Sequence, residues 1–130
     1  MTPELTRQLE ALCASAASFY ARGLAFGSTG NLSILDGDRV WVTPTGRSLK
    51  DLQPDEIAAV HLYESRPLNE NKASKETPFH LACYRAARGR ASALVHLHST
   101  HSVALSCLAN LDEAQPLPIF TPYYLMRVLP

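Results

Sequence analysis

In the stretch Asn31-Leu32-Ser33-Ile34-Leu35-Asp36-Gly37-Asp38-Arg39-Val40-Trp41-Val42-Thr43, two runs rich in branched and aromatic residues flank the turn sequence Asp36-Gly37-Asp38. Aspartate followed by glycine supports the positive backbone angles that a tight hairpin turn needs. The sequence therefore predicts two antiparallel strands, Asn31–Leu35 and Arg39–Thr43.

The segment before this hairpin is predicted to be one helix. Its apolar residues recur at spacings of four, three, four and three, the period of a single buried helical face: Leu5, Leu9, Leu12, Ala16 and Phe19. The pattern predicts a helix from Pro3 to Arg22, and Gly23 can supply the left-handed residue that follows it. The next residues, from Phe26 to Asn31, are rich in turn formers and predict a loop.

After the hairpin, short strands alternate with helices. Leu49–Glu56 predicts a helical turn, Ile57–Leu62 predicts a third strand, and the polar stretch from Tyr63 to Lys75 predicts a solvated connection. Ala93–Leu97 predicts a buried strand. The prolines at positions 116, 118 and 122 predict an end to regular structure.

Two further helices are predicted in this half of the chain. We expect Thr77 to be the N-cap and Pro78 the first residue of a helix that ends near Arg88. Its apolar stripe is predicted on Phe79, Ala82, Cys83 and Ala86. Ser99 or Thr100 is expected to cap a third helix through Ala104, Cys107 and Leu108. This order of elements favours an α/β fold with helices packed on an antiparallel or mixed sheet.

Composition narrows the function classes. The chain has 130 residues, enough for one domain, and 46% of them are hydrophobic, enough for a core. Twelve basic and twelve acidic residues give zero formal charge, which argues against nucleic-acid and membrane partners. Three widely spaced cysteines among apolar residues suit buried thiols in a reducing compartment, so a cytoplasmic protein is expected: Cys13, Cys83 and Cys107.

The clearest candidate for chemistry is Val95-His96-Leu97-His98. Alternate residues of a strand point to one face, so the predicted strand places His96 and His98 side by side. Two imidazoles suit zinc and other divalent first-row metals, although two polar residues on a solvated strand face would give the same pattern. We expect His101 in the first turn of a helix beside this site and His80 to be packed or hydrogen-bonded.

Three short motifs are candidates for binding an anion. Gly27-Ser28-Thr29-Gly30-Asn31 and Thr43-Pro44-Thr45-Gly46 offer small residues and backbone donors, although each alone is also ordinary turn chemistry. Ser74-Lys75-Glu76 stands just before the second helix, where free backbone N–H groups and the helix dipole favour an anion. Glu76 is either a simple capping charge or, if the fold turns it toward the histidines, a general acid/base.

Taken together and in this order, these motifs and His96-Leu97-His98 resemble the class II aldolase/adducin family. The resemblance implies a three-layer α/β/α sandwich around a mostly antiparallel central sheet, in a homotetramer with active sites at subunit interfaces. It implies that Glu76, His96 and His98 bind zinc or another divalent metal, and that Glu76 is the catalytic acid/base. It also implies a phosphate pocket, in which Lys75 is a cation where many family aldolases have serine; the pocket residues are Gly30, Asn31, Thr45, Gly46, Ser74 and Lys75.

Within that family, three segments are similar to the branch that decarboxylates 3-oxo-tetronate 4-phosphates: Ser74-Lys75-Glu76 with the following Thr77-Pro78-Phe79-His80, then His96-Leu97-His98-Ser99-Thr100, and the tail from Leu117 to Val128. This implies a metal-dependent lyase that acts on a phosphorylated four-carbon sugar acid through a zinc-stabilised enediolate. Family members continue beyond this point and supply a third histidine ligand, so residues 1–130 are expected to be a single domain that lacks its C-terminal part.

Other functions stay open at this point. A class II aldolase or 4-epimerase acting on a sugar phosphate would use the same enediolate. An adducin-like assembly domain would be non-catalytic, but it would have no need to keep both histidines and Glu76. A structural zinc site would be closed by four protein ligands and would not respond to substrate analogues.

Overall fold

The computed structural model describes residues 2–110 together with Asp112, Pro122 and Met126. The described elements follow the order helix α1 (Pro3–Ala21), strand β1 (Asn31–Asp36), strand β2 (Arg39–Val42), a 3₁₀ turn (Pro54–Glu56), strand β3 (Ala58–His61), helix α2 (Thr77–Ala87), strand β4 (Ala93–His96) and helix α3 (Thr100–Ser106). The chain divides into one unit of residues 1–100 and a second of residues 101–130. None of the described helices is both long and apolar enough to span a membrane.

Helix α1 confirms the prediction from apolar periodicity. The Thr2 side chain caps it by accepting a hydrogen bond from the Leu5 amide at 3.2 Å, and Pro3 occupies the first turn. Its buried residues are four of the five predicted ones together with Cys13: Leu5, Leu9, Leu12, Cys13 and Ala16. The fifth predicted residue, Phe19, is only half-buried. The helix ends one residue early, and Gly23 follows with φ +70°, which glycine adopts without strain.

The predicted hairpin is also confirmed. Strands β1 and β2 pair antiparallel, with Ser33 opposite Val42 and Ile34 opposite Trp41. The four strands form one sheet in the order β3-β2-β1-β4, and every neighbouring pair is antiparallel. The sheet that we expected to be antiparallel or mixed is thus entirely antiparallel within the described residues.

The two helices cover opposite faces of this sheet. Alternation along β1 sends Leu32 and Ile34 toward α1, where they join an apolar cluster with Leu9. Asn31 and Ser33 point to the other face and bond to side chains of α2. The second cluster lies on that face and consists of Val40, Val42, Ala58, Val60, Leu62, Leu81 and Tyr84. Helix, sheet and helix therefore form the predicted three-layer α/β/α sandwich.

Helix α2 differs from its prediction in two ways. Its N-cap is Glu76, and Thr77 is the first helical residue, whose hydroxyl donates to the Ser74 carbonyl at 2.6 Å. The predicted apolar stripe is not the buried face, since Phe79 is 50% exposed. The buried residues are Thr77, His80, Leu81 and Tyr84. These have the same helical period, and the sheet offers hydrogen-bond partners to His80 and Tyr84.

Strand β4 and two of the three cysteines are more exposed than predicted. Strand β4 is not buried as predicted, because it forms one edge of the described sheet and Val95 is 48% exposed. Cys13 is buried, but Cys83 is only half-buried and Cys107 is exposed. Burial, followed by the negative charges of Glu56 and Asp55, raises the pKa of Cys13 to about 11.

Helix α3 begins at Thr100 and includes His101 in its first turn, as predicted. It ends at Ser106, before Cys107 and Leu108. The predicted breaks at residues 116 and 118 lie outside the described residues. Pro122 is helical, so the prediction is wrong at that position.

Candidate active site

The site is built at one edge of the sheet, where β1 begins and β2 and β4 end. Antiparallel pairing brings these ends together, and Asn31 lies opposite His96 in the β1–β4 register. Gly30 precedes Asn31 with φ +80°, and a Cβ atom there would lie 3.2 Å from the His96 carbonyl oxygen. Only glycine fits this close approach without strain, so the Gly30-Asn31 sequence is needed to bring the two strands together here.

The N-terminus of α2 is held at the same edge by the chain that precedes it. The Thr45 amide donates to the Lys72 carbonyl at 3.0 Å, and the Ser74 amide donates to the Thr43 carbonyl at 3.2 Å. The Ser74 hydroxyl in turn accepts from the Glu76 amide at 3.2 Å. These bonds place the Thr43–Gly46 motif directly beside the Ser74–Glu76 motif.

A cavity of about 310 Å³ collects these motifs. Its described lining residues are Ser28, Thr29, Gly30, Asn31, Pro44, Thr45, Gly46, Ser74, Lys75, Glu76 and His98. All six residues predicted for the phosphate pocket are among them, together with Glu76 and one of the two predicted histidines. Lys75 is the one lysine or arginine in this described lining, and Glu76 is its one carboxylate. A cation and an acid/base group therefore share a cavity rich in small polar residues.

The two histidines lie beside each other, but not on one strand. Strand β4 ends at His96, and His98 lies beyond it, with its backbone amide donating to the Leu24 carbonyl at 3.2 Å. The ring centroids of His96 and His98 are nevertheless 4.9 Å apart, and the Phe79 ring lies 5.9 Å from that of His96. The imidazole pair thus arises from a strand end and the segment that follows it.

These residues offer donors that suit a metal. Imidazole nitrogen and carboxylate oxygen are ordinary zinc ligands, and Nδ1 of His96 is buried without a hydrogen-bond partner. A buried polar atom left unpaired is costly unless something satisfies it. In the described part of the chain, however, no group of three or more His, Cys, Asp or Glu side chains is placed to hold a metal ion. Glu76 and His98 share the cavity and His96 lies against His98, but the three do not form a closed ligand set.

His80 lies behind the cavity in a buried polar network. It has no exposed surface; its Nε2 lies 2.5 Å from Oδ1 of Asn31, and its Nδ1 lies 2.6 Å from the hydroxyl of Ser33. The Ser33 hydroxyl is also 2.8 Å from that of Tyr84. Burial, aided by His96 and opposed by Glu76, lowers the pKa of His80 to about 4. The prediction of a packed, hydrogen-bonded histidine is confirmed, and the imidazole is neutral.

Sequence reasoning missed Ser33 and Tyr84 as members of this network. Tyr84 lies one helical turn after His80 on α2, and Ser33 lies two residues after Asn31 on β1, so each shares a face with a residue already singled out. This spacing could have predicted that Ser33 and Tyr84 belong to the network. It becomes informative only once β1 and α2 are known to face each other.

The chain matches a known protein family over most of its length. The family described as Class II Aldolase and Adducin N-terminal domain matches residues 10–129, most of the chain. The antiparallel sheet between two helical layers and the ordered motifs at its edge agree with this match. The chain belongs to the class II aldolase and adducin family.

Individual relatives are similar over most of this chain. It is 50% identical over 112 residues to the 3-oxo-tetronate 4-phosphate decarboxylase of Haemophilus influenzae, covering 85% of this chain and 52% of that protein. It is 49% identical over 115 residues to the enzyme of the same name from Escherichia coli, covering 87% and 53%. The crystal structure of YgbL from Escherichia coli superposes with a TM-score of 0.84 at 44% identity, covering 95% of this chain and 59% of that one. The chain thus spans about half the length of the curated relatives it matches.

Proposed function

We propose that this protein is a metal-dependent carbon–carbon lyase that decarboxylates a 3-oxo-tetronate 4-phosphate. The observation that carries the proposal is the single cavity that holds the anion motifs, Lys75, Glu76 and His98. The names of the relatives at 49% and 50% identity supply the substrate class. The alternative is an aldolase or 4-epimerase acting on a sugar phosphate, and the activity test described below must distinguish it from the decarboxylase.

The proposed substrate enters with its phosphate in the cradle formed by Gly30, Asn31, Thr45, Gly46 and Ser74. Backbone and side-chain donors at the start of α2 favour the anion there, and the Lys75 ammonium neutralises part of its charge. Fixing the phosphate sets the distance between Glu76 and the carbon chain of the substrate. Such positioning converts a chance encounter into an oriented reaction.

The proposed reaction breaks the bond between the carboxylate carbon and its neighbour, releasing carbon dioxide. The electron pair of that bond moves into the adjacent ketone, and the carbon that loses the carboxylate must then take up a proton. Glu76 is proposed to deliver this proton from its carboxyl oxygen, since it is the carboxylate in the described cavity lining. When bound, a divalent metal, proposed to be zinc, would polarise the ketone oxygen and stabilise the negative charge that develops there.

His96, His98 and Glu76 are the residues proposed to hold the metal. The buried, unpaired Nδ1 of His96 and the closeness of the two rings support this assignment. Metal analysis of the purified protein and of a His96→Ala, His98→Ala double variant tests it. Equal zinc content in the two preparations would contradict the assignment.

The activity test offers the purified protein a 3-oxo-tetronate 4-phosphate and, separately, a ketose 1-phosphate. We expect carbon dioxide from the first and no aldehyde from the second. We expect Glu76→Gln to retain metal and to lose about 10²- to 10⁴-fold in turnover, the usual contribution of a general acid/base. Glu10→Gln, at an exposed position on α1, is the matched control and should react like the unmodified protein. Aldehyde alone would favour the aldolase alternative, and full activity in Glu76→Gln would refute the proton-transfer role.

Two further proposals concern the whole protein: a homotetramer, which the family resemblance supports, and a cytoplasmic location. A homotetramer would place the site at a subunit interface, and sedimentation measurements test it directly. A cytoplasmic location is supported by three cysteines that are all free. Cell fractionation tests that location.

A further inference from the structure

We propose that His80 is a positioning residue, which holds the side-chain amide of Asn31 so that its nitrogen donates a hydrogen bond to the bound phosphate. The inference rests on the proposed function, because it takes the cavity to be a phosphate site. It concerns a residue that does not line the cavity itself and lies entirely out of solvent.

The first step is the contact between His80 and Asn31. Oδ1 of Asn31 is an acceptor only, and it lies 2.5 Å from Nε2 of His80. Two acceptors would repel at this distance, so Nε2 must carry the proton and donate it. With its oxygen engaged by His80, Asn31 offers the cavity its remaining polar group, the amide nitrogen, which is a donor suited to an anion.

The second step fixes which nitrogen of His80 carries the proton. A neutral imidazole with a proton on Nε2 has an acceptor at Nδ1, and the Ser33 hydroxyl lies 2.6 Å from that atom. Ser33 therefore donates to His80. The Tyr84 hydroxyl donates to the Ser33 carbonyl at 3.0 Å and lies 2.8 Å from the Ser33 hydroxyl, whose oxygen can share the same proton in a three-centre bond.

The opposite arrangement would damage the phosphate site. If His80 carried its proton on Nδ1, the unprotonated Nε2 would attract the amide nitrogen of Asn31. The amide would then turn its carbonyl oxygen toward the cavity, where it would repel a phosphate. The hydrogen bond from Ser33 to His80 selects the orientation of Asn31 that binds an anion.

Two substitutions at His80 separate positioning from packing. Glutamine reaches the place of Nε2 and can still donate to Asn31, whereas asparagine reaches only the place of Nδ1 and can still accept from Ser33. Each variant loses one hydrogen bond of the network, so the two should lose a similar amount of stability. Asn31→Ala measures the full contribution of the amide donor.

The experiment titrates each purified protein with inorganic phosphate by calorimetry and measures KM and kcat with a 3-oxo-tetronate 4-phosphate. We expect Asn31→Ala to weaken phosphate binding by about tenfold or more, as for a lost hydrogen bond to a charged group. We expect His80→Asn to weaken it by at least about fivefold and His80→Gln by less than about twofold. The loss should appear mainly in KM, with kcat little changed.

The outcomes separate the two proposals. Equal phosphate affinity in His80→Asn and His80→Gln, with a loss in Asn31→Ala, would overturn the role of His80 and leave the phosphate site intact. No loss in Asn31→Ala, or no phosphate binding by the unmodified protein, would overturn both the role of His80 and the phosphate pocket. Phosphate binding with the expected pattern but without carbon dioxide release would contradict the decarboxylase proposal alone.

A second measurement needs no variant. Nitrogen-15 NMR of the unmodified protein reports which imidazole nitrogen of His80 carries the proton. We expect the proton on Nε2 at neutral pH. A proton on Nδ1 would overturn the inference even if the His80 variants failed to fold.

Discussion

The two faces of the sheet are built from the same strands but use different interactions. On the face that contacts α1, strand β1 contributes Leu32 and Ile34 to a cluster of apolar side chains. On the face that contacts α2, the same strand contributes Asn31 and Ser33, which are buried and bonded to His80 and Tyr84. One face is held by apolar packing, and the other combines apolar packing with a polar network.

The difference has an energetic meaning. Burying one large aliphatic side chain stabilises a fold by roughly 1.5–3 kcal/mol, whereas one internal hydrogen bond contributes a net of about 1 kcal/mol. The polar network is therefore a weak source of stability for the volume it occupies. Its main effect is to orient side chains, because each hydrogen bond restricts the orientation of the two groups that it joins. We infer that the α1 face mainly stabilises the fold and that the α2 face mainly orients the site.

The largest expected effect comes from the α1 face. Leu9 has no exposed surface, so Leu9→Ala should lower the free energy of unfolding by about 2–5 kcal/mol through lost burial and a residual cavity. Phosphate affinity of the folded protein should be unchanged. Urea unfolding measures the first quantity and calorimetric titration the second. A large loss of phosphate affinity in a folded Leu9→Ala protein would break the division between the two faces.

The next effect is a pH dependence of stability that belongs to the α2 face. The pKa of His80 falls from 6.5 to about 4 on folding, chiefly because of burial, so the unfolded chain binds more protons between these values. Stability from this group is complete above pH 6.5 and is lost as the pH falls toward 4, by at most about 3 kcal/mol. Urea unfolding at pH 7.5 and pH 5, compared with His80→Gln, measures it. The same pH slope in both proteins would contradict the assignment.

A smaller effect is expected at the sheet edge that carries the site. Gly30 and Gly37 both have positive φ, but a Cβ at Gly30 would lie 3.3 Å from Ala25 and from Leu49, whereas a Cβ at Gly37 would meet nothing within 4 Å. Gly37→Ala should cost about 1 kcal/mol for backbone strain alone, and Gly30→Ala about 1–2 kcal/mol more for crowding. Only Gly30→Ala should also weaken phosphate binding. Equal effects of the two substitutions would show that the close approach at Gly30 is unimportant.

Local patterns predicted the parts of the fold that depend on local physics. The apolar period of α1 identified its buried face, and Asp36-Gly37 identified the hairpin, because a helix period and a turn are properties of neighbouring residues. The order of the motifs also predicted which residues would meet at the cavity, although that prediction depended on resemblance to a family. Nothing in the individual loops required them to converge.

Non-local partners explain what could not be predicted. On α2, the stripe that includes Phe79 is more apolar than the stripe that is buried, and the choice is made by Asn31 and Ser33 across the interface. Likewise, the early end of β4 means that His96 and His98 meet through the chain path after the strand, which alternation alone does not describe. Polar pairing across an interface is the information that a hydrophobic pattern lacks.

The smallest effect tests the far end of the polar network. Tyr84 is 2% exposed, and Tyr84→Phe removes its hydroxyl while keeping its ring among Val40 and Leu81. The free energy of unfolding should fall by about 1 kcal/mol, because Ser33 keeps His80 as a hydrogen-bond partner. Urea unfolding measures this loss.

Phosphate affinity should change by less than about twofold in this variant, since the Ser33 hydroxyl can still donate to His80 and the His80 proton stays on Nε2. Ser33→Ala is the companion variant: it removes the donor to Nδ1 and should weaken phosphate binding more than Tyr84→Phe does. If Tyr84→Phe instead weakened phosphate binding as much as Ser33→Ala, the orientation of Asn31 would depend on both the Tyr84 and the Ser33 hydroxyls. The Ser33–His80 hydrogen bond alone would then not be sufficient.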